Sequence, residues 1–455
     1  MCKVSVVMPV RNGGRYFAAA LASVCRQTLK DIEVLVVDAD SEDGTLDLVR
    51  QMAASDHRIR LIRSRKRSMG HQYNLGIHAA KGEYIAFCES DDEYVPEFLN
   101  RLYDIARMHD FPDAVKSDFT MFVGDDDERL KLHYHVLDSK HCSLYGQVIQ
   151  LKDLPDLIFR DVNMWNGIYR RGFLEHEQVI LNETAGAAFQ DTDFIEQVLL
   201  NAKRIIYTEG ESYLYRRDNP DASTFKDTSI FWGQELAYML AYFEEHPSID
   251  EYYRFLIVER LFGGYCSSVI QSMLYHPTTA PVSHEQSSII LESLKAFCQQ
   301  ISPAMHFRLR RNYQLWLFLE DQRAYWQNRQ KRAAYEQHLV ETFRSLMKCA
   351  PEVCIFGTGE LGQSVYMNLR LNQYMGKIRF CDSSSEKINR KLFGIRTQSV
   401  EEAVRERDCF FLLPSPMYAQ EMMESLLQQG VPMSRIVAYP SIAPHSAFEF
   451  CWMGK

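Results

Sequence analysis

Gly82-Glu83-Tyr84-Ile85-Ala86-Phe87-Cys88-Glu89-Ser90-Asp91-Asp92-Glu93 runs from a short apolar segment into four carboxylates within its last six residues. The apolar part, Tyr84 to Cys88, reads as a buried strand. Like charges packed just beyond a strand repel strongly unless something positive sits among them. A divalent ion is the natural counter-charge, and Mg²⁺ or Mn²⁺ prefers one or two carboxylates plus phosphate oxygens over an all-protein cage. An acidic helix N-terminus, with Asp91 or Asp92 as cap before Pro96, explains the same residues without any chemistry.

Working outward, Val4 to Val10, Ile32 to Asp38 and Ile59 to Ile62 are further strand-like runs, separated by amphipathic segments. Such alternation is the pattern of a βαβ sheet. Ligands of open α/β sheets bind beyond the carboxyl ends of the strands, which directs attention to Arg11-Asn12, Asp38 to Asp43, Arg63 to Arg67 and Glu89 to Asp92. At the second of these, Val36-Val37-Asp38-Ala39-Asp40-Ser41-Glu42-Asp43-Gly44, a carboxylate can accept from the N–H of a base, while Ser41 or Asp43 is placed to cap a helix from Gly44. Between Asp113 and about Asp227 strand-like runs at Ala114 to Val123 and Arg204 to Tyr215, with a helix from near Asp191, complete the same domain. The stretch Ile230 to Lys348 is helical in period, with breaks at Pro247, Pro277, Pro281 and Pro303. A third unit opens at Pro351 with strands expected at Val353 to Phe356, Ile378 to Cys381 and Cys409 to Leu413. The expected organisation is an α/β domain over 1–228, a helical region over 229–348 and a second α/β domain over 351–455.

Composition narrows the function. A chain of 455 residues exceeds one ordinary core. Its net charge of -9 argues against a nucleic-acid binder, whose affinity rests on Lys and Arg neutralising phosphates. The 11 cysteines are scattered without zinc-ligand spacing, several in apolar runs such as Cys88, Cys354 and Cys409, and read as reduced core residues of a cytoplasmic protein. Met1 to Val10 opens directly into a strand pattern, unlike a signal peptide. No uncharged apolar run reaches the ~18 residues of a membrane span, so the expected membrane contact is peripheral.

Pro9-Val10-Arg11-Asn12, the Val36 to Asp43 segment and the Gly82 to Asp92 segment, in that order, resemble the inverting family 2 glycosyltransferases of the GT-A fold. The family pattern is P-x-x-N, then V-V-D-D-x-S-x-D, then G-E-Y-I-x-F-x-D-x-D-D, and the resemblance covers Val4 to about Asp104. It implies a nucleotide diphosphate donor, a UDP-sugar, met by Pro9, Asn12, Asp38, Asn74, Glu89, Ser90 and Asp91. Asp38 then reads the uracil ring, and Asp91 is the ligand of Mn²⁺ or Mg²⁺. Glu89 stands where the family has Asp, and Ala39 where it has a second acid. In Gln72-Tyr73-Asn74-Leu75-Gly76 the arginine of the family's A-R-N-x-G element is missing, and Lys66 and Arg67 are candidates to meet the donor phosphates instead.

Inverting transfer is a single displacement and needs one general base for the acceptor hydroxyl. By resemblance that base is Asp191, in Phe189-Gln190-Asp191-Thr192-Asp193-Phe194, with Asp193 as the near alternative and helix capping as the purely structural role. Arg216 and Arg217 follow an aromatic strand, where a cation can stabilise a leaving diphosphate. Trp165 offers a ring for an acceptor sugar or, equally, a buried core residue.

In the C-terminal unit Gly357, Gly359 and Gly362 form a strand-turn-helix loop, with Asp382 about 20 residues beyond at the end of the next strand. That context implies a Rossmann-like fold. Bound NAD(P) is a separate property, and an accessory or vestigial binding module is the preferred reading over a second enzyme. The expected function is a metal-dependent glycosyltransferase acting on a glycan or lipid-linked acceptor in bacterial surface polysaccharide or glycoconjugate biosynthesis. Its rivals are a degenerate nucleotide-sugar or glycan-binding protein and an NAD(P)-dependent sugar-modifying enzyme.

Overall fold

The computed structural model describes residues 2–125, 129–222, 229–275, 280–371, 374–406, 409–415 and 418–439. The break expected at Pro277 lies outside them. The chain divides into two compact units, one made of residues 1–122, 133–266 and 281–322, the other of 123–132, 267–280 and 323–455.

The first part of the chain contains β1 (Val4–Val10), α1 (Phe17–Cys25), β2 (Ile32–Asp38), α2 (Thr45–Ser55), β3 (Ile59–Arg63), α3 (Met69–Ala79), β4 (Tyr84–Phe87), β5 (Glu93–Tyr94) and α4 (Phe98–Met108). There follow β6 (Ala114–Val123), β7 (Leu130–Tyr134), β8 (Val148–Ile149), α5 (Leu157–Arg160), β9 (Gly167–Arg170), α6 (Arg171–His176), α7 (Gln190–Asn201) and β10 (Ile205–Arg216). Next come the helices α8 (Ser229–Glu245), α9 (Glu251–Tyr275), α10 (Ala280–Gln300), α11 (Pro303–Arg311), α12 (Tyr313–Glu320) and α13 (Gln322–Cys349).

All seven residues of β1 and of β2 are buried, as expected of parallel strands covered on both faces, and this is why they read as unbroken apolar runs. The sheet order is β3-β2-β1-β4-β9-β6-β10-β5, with β8 also paired to β10. β1 is parallel to both β2 and β4, whereas β9 runs antiparallel between β4 and β6. Register decides where the chemistry can sit. Val10 lies opposite Asp38, Asp38 opposite Arg63, and Val7 opposite Phe87, so the polar residues after β1, β2, β3 and β4 emerge along one sheet edge. Neighbouring strands are about 4.8 Å apart, so the ends of β2 and β4, one strand removed, are separated by roughly 10 Å.

Helix α3 packs directly on β1. A Cβ added at Gly76 would lie 2.2 Å from Val7 Cγ1, and only glycine lets the helix approach that closely. The N-terminus of α3 is capped by Ser68, whose side chain accepts from the His71 N–H. Later in the unit, Phe262 and Tyr265 of α9 pack against Phe318 of α12.

In the second unit β11 (Glu352–Phe356), α14 (Glu360–Leu371), β12 (Lys377–Asp382), β13 (Lys391–Leu392), β14 (Ile395–Ser399), α15 (Val400–Ala403), β15 (Phe410–Leu413), α16 (Ala419–Gln428) and β16 (Ile436–Ala438) build a sheet of order β13-β14-β12-β11-β15-β16. Apart from the antiparallel β13, its pairings are parallel, which gives the open order of a Rossmann-like half with β11 at the centre. Cys354, Cys381 and Cys409 are buried in its apolar core. The ten described cysteines are all free thiols.

Replacing Gly76 by Ala drives a methyl into Val7 and is expected to destabilise the first unit by about 1–3 kcal/mol through overpacking. The urea midpoint measures this, and pairing Gly76→Ala with Val7→Ala should recover part of the loss.

Candidate active site

The loops after β1 and β2 are knitted into one surface. Asn12, with φ of 53°, donates its N–H to Ser41 Oγ at 2.8 Å and accepts from the Glu42 N–H through Oδ1 at 2.9 Å. Gly14 donates to Asp43 at 2.9 Å, and Gln72 of α3 donates to the Val10 and Val37 carbonyls at 3.0 and 2.6 Å, pinning the two strand ends together. Asp38 is fully buried. Its Oδ1 accepts from the Ser41 N–H at 3.2 Å, whereas Oδ2 has no hydrogen-bond partner among the described residues. Arg63 pairs with Asp40 at 2.7 Å and lies 3.8 Å from Asp38. Of the two residues expected to cap α2, Asp43 does so, its Oδ1 accepting from the N–H of Thr45, the first helical residue, at 3.1 Å, whereas Ser41 does not. The residue between Asp43 and the helix is Gly44 at φ 92°, and Ser41 serves Asn12 instead.

Beyond β4 the acidic cluster takes shape around β10. Ligand oxygens of Glu89, Asp91 and Asp92 lie within 4.8 Å of one another. Asp92, fully buried, accepts from the Tyr213 hydroxyl at 2.7 Å and from the Arg216 N–H at 2.7 Å, and Tyr213 in turn accepts from the Glu89 N–H at 3.1 Å. Asp91 Oδ2 accepts from Asn219 at 2.6 Å. Neither Asp91 nor Asp92 caps the next helix, whose N-cap is Glu97. Burial raises Glu89 well above the usual carboxylate range, with Asp92, Asp91 and Asp191 adding and Arg217 opposing. Burial and Asp91 raise Asp92 likewise. Carboxylates that raise one another in this way are a donor set that a divalent cation relieves, and all-oxygen ligation suits Mg²⁺ or Mn²⁺. Glu89 and Asp91 would hold such an ion, because both oxygens of Asp92 are already bonded.

Asp191, about a hundred residues further along the chain, comes within electrostatic reach of this cluster. Phe189, packed on Trp232 with centroids 4.4 Å apart, takes a left-handed backbone with φ of 63°, an uncommon state for a bulky residue, and the turn sets Asp191 in the first turn of α7. Burial pushes Asp191 up to about 6, opposed by Arg260 and Lys116. Its charge reaches Glu89 and Tyr73, so base candidate and acidic cluster share one field. Asp193 differs: it is fully buried, and burial together with Glu235 and Glu196 raises it well above its ordinary value. Behind the helix, Arg260 donates to Glu196 at 2.7 Å, and burial still raises Glu196 to about 8. Lys116 is buried on Asp161 at 2.6 Å.

With this geometry in place, comparison with known proteins is direct. Residues 5–174 match the model for glycosyl transferase family 2. The chain carries a family 2 glycosyltransferase domain. The relatives agree: glycosyltransferase GlyA of Streptococcus pneumoniae is 25% identical over 219 residues, 47% of this chain and 30% of that protein. The uncharacterized glycosyltransferase alr2836 of Nostoc is 34% identical over 180 residues, 38% of this chain and 52% of that protein. This chain thus spans well under two thirds of either relative. The S. aureus TarS structure in complex with UDP-GlcNAc superposes with a TM-score of 0.49 at 18% identity over 64% of this chain and 81% of that one. The GT-A fold expected from the three N-terminal motifs is the fold of the transferase domain.

Several candidates named from sequence are occupied within the transferase domain by other work. Asn74 donates to the Leu181 carbonyl at 2.9 Å and accepts from its N–H at 3.0 Å, tying α3 to the segment before Asp191. Lys66 pairs with Glu183 at 2.6 Å. Burial would raise Glu183, but bonds from Lys66, His71 and Asn74 outweigh it and lower it to about 2. Arg67 is exposed, and its carbonyl accepts from the Gly186 N–H at 2.8 Å. The Arg216 guanidinium is sandwiched between the Tyr16 and Phe122 rings, bonds the Asp91 carbonyl and is ion-paired to Glu93 and Asp218. It braces the acidic loop rather than facing solvent. Trp165 is 2% exposed, stacked on Tyr213 at 4.2 Å with Tyr215 and Phe119 against it, so the core-residue alternative describes its place and no free ring face is left for a sugar. Pro9 is buried in β1, and Ser90 sits partly buried beside Glu89 and Asp91. In the second unit Asp382 is engaged by its own loop, accepting from the Thr358 N–H and hydroxyl at 2.9 and 2.7 Å and from the Ser384 N–H. Gly357 has φ of 106°, a Cβ at Gly362 would lie 2.0 Å from the Gly357 carbonyl, and a Cβ at Gly359 would meet nothing within 4 Å.

Sequence reasoning missed Tyr213, Asn219, Lys116, Glu235 and Arg260, each joined to the site over long sequence separations. Tyr213→Phe strips the hydroxyl from buried Asp92 and from the Glu89 N–H while keeping the ring stack on Trp165. The expected cost is about 1–3 kcal/mol by chemical denaturation, the penalty of a buried polar group left unpaired.

Proposed function

We propose that the chain transfers a sugar with inversion from a nucleotide diphosphate donor, a UDP-sugar, to a hydroxyl of a glycan or lipid-linked acceptor. The reading rests chiefly on one juxtaposition: a carboxylate raised to about 6, Asp191, placed within the electrostatic reach of a metal-type acidic cluster on a family 2 domain. Bacterial surface polysaccharide or glycoconjugate assembly is the proposed setting, at the inner face of the membrane. Among the described residues no helix is long and apolar enough to cross a membrane.

In this proposal Asp38 reads the base through Oδ2, which has no hydrogen-bond partner among the described residues, while the Asn12 and Ser41 loop shapes the nucleoside side. Glu89 and Asp91 would hold the Mn²⁺ or Mg²⁺, which supplies Lewis-acid stabilisation of the departing diphosphate when bound. Asp191 accepts the proton of the acceptor hydroxyl as its oxygen forms the new bond to the anomeric carbon. The bond from that carbon to the diphosphate oxygen breaks on the opposite face, and its electron pair leaves with the diphosphate. Arg217, whose charge lowers Glu89, is the cation proposed to meet that negative charge. A pKa near 6 suits the base, since the group is ionised at neutral pH yet basic enough to take a proton in the transition state.

A protein that holds a nucleotide sugar without turnover is the second reading, favoured by Glu89 in the place of an Asp. UDP release from donor in the presence of Mn²⁺ separates the two.

Asp191→Asn should lower kcat by at least ~100-fold with UDP binding unchanged, and full activity in that variant would remove Asp191 from the mechanism. Because the base works only when deprotonated, kcat/KM should fall as pH drops through about 6 and level off above it. Asp91→Asn should abolish the Mn²⁺ dependence of UDP affinity, measured calorimetrically; an unaltered dependence contradicts its role.

A further inference from the structure

Away from the acidic cluster, a second group of ligating side chains gathers on β6. Asp118 is fully buried, and its Oδ1 is held by the Val136 N–H at 3.0 Å and the Tyr145 hydroxyl at 2.5 Å. That leaves Oδ2 facing two imidazoles, His135 Nδ1 at 2.8 Å and His133 Nε2 at 3.5 Å. The two histidines are spaced i, i+2, and their ring centroids lie 4.7 Å apart. All three ligand atoms fall within 4.8 Å of one another.

We propose that Asp118, His133 and His135 form a binding site for Zn²⁺, distinct from the Mg²⁺ or Mn²⁺ cluster at Glu89 and Asp91. Ligand chemistry separates the two. Two neutral imidazoles and one carboxylate suit Zn²⁺, while all-oxygen sets suit the harder cations. Geometry agrees as well. Bonds of 2.0 to 2.2 Å in a tetrahedron place ligand atoms about 3.3 Å apart, so separations of 2.8 and 3.5 Å need only small adjustments.

The outer contacts are those a metal site requires. Thr120 Oγ1 lies 3.1 Å from His133 Nδ1, which fixes the ring and leaves Nε2 to ligate. Tyr145 and Val136 fix the carboxylate in the same way. Arg101, whose charge also reaches Asp118, donates to the Gly210 carbonyl rather than to the carboxylate. The His135 side chain is 51% exposed, so an ion enters from solvent and a fourth position stays open to water. Bound Zn²⁺ would fasten the segment from His133 to Tyr145 onto β6, the strand whose Phe122 supports Arg216.

The test uses the full chain without a polyhistidine tag, stripped with chelator and titrated with Zn²⁺ by calorimetry and with Co²⁺ by visible absorption. The expected result is one equivalent giving the strong absorption of a four-coordinate nitrogen-containing site, with affinity at least ~tenfold weaker in His133→Ala and in His135→Ala. The signal should persist in Glu89→Gln/Asp91→Asn. Asp118→Asn touches a buried group and is open to misfolding, but the partly exposed His135→Ala keeps the test decisive. Equal affinity in the wild type and both histidine variants overturns the site, as does a signal that vanishes with the acidic-cluster variant instead.

Discussion

Crowding of negative charge at the end of β4 is the constraint around which the transferase domain is arranged. Glu89, Asp91, Asp92 and Glu93 leave a buried strand together, and nothing in that strand can neutralise them. The compensation comes from β10 and the residues just after it, more than a hundred residues later, where the Tyr213 hydroxyl and Arg216 N–H take Asp92, the Arg216 side chain takes Glu93, and Asn219 takes Asp91. Arg216 can do this because it is itself enclosed by Tyr16 and Phe122. A bulge in the β6 pairing between Thr208 and Tyr213 brings the second half of β10 into line with the acidic loop. Lines of fold and of site therefore cross at one strand.

The same electrostatics separate carboxylates that look alike in sequence. Asp191 and Asp193 are two residues apart at one helix start. One is buried with Arg260 and Lys116 opposing and is raised to about 6, while the other is sealed with Glu235 and Glu196 and is pushed far higher. Environment, not residue type, assigns the chemistry.

Much of this was legible in the sequence, for physical reasons. β1 and β2 match their expected limits because strands buried on both faces read as continuous apolar runs, and the residues that follow them are polar because the sheet edge is where ligands meet it. The glycine loop after β11 was readable for a similar reason, since close approach of helix and strand admits no Cβ at Gly362. The starts of α2 and α7 fall within a residue of their expected places at Gly44 and Asp191, but the left-handed φ by which Gly44 and Phe189 enter those helices is set by the backbone and was not legible at Phe189. β9 escaped notice because four residues are too few for periodicity, although Gly167, whose added Cβ would lie 2.8 Å from the Val115 carbonyl, marks a tight approach. Burial of Trp165 and enclosure of Arg216 depend on partners that spacing does not encode.

One strap of hydrogen bonds carries a kinetic meaning. Asn74, Lys66 and His71 grip the segment at Leu181 and Glu183, and Ser68 bridges to Gly186, so the approach to Asp191 is fastened to α3 along its length. The entropy of ordering that approach is met when the protein folds rather than at each encounter with substrate. The placing of Asp191 against α3 is then inherited from architecture, and in the proposed transfer this segment has no need to close at each turnover.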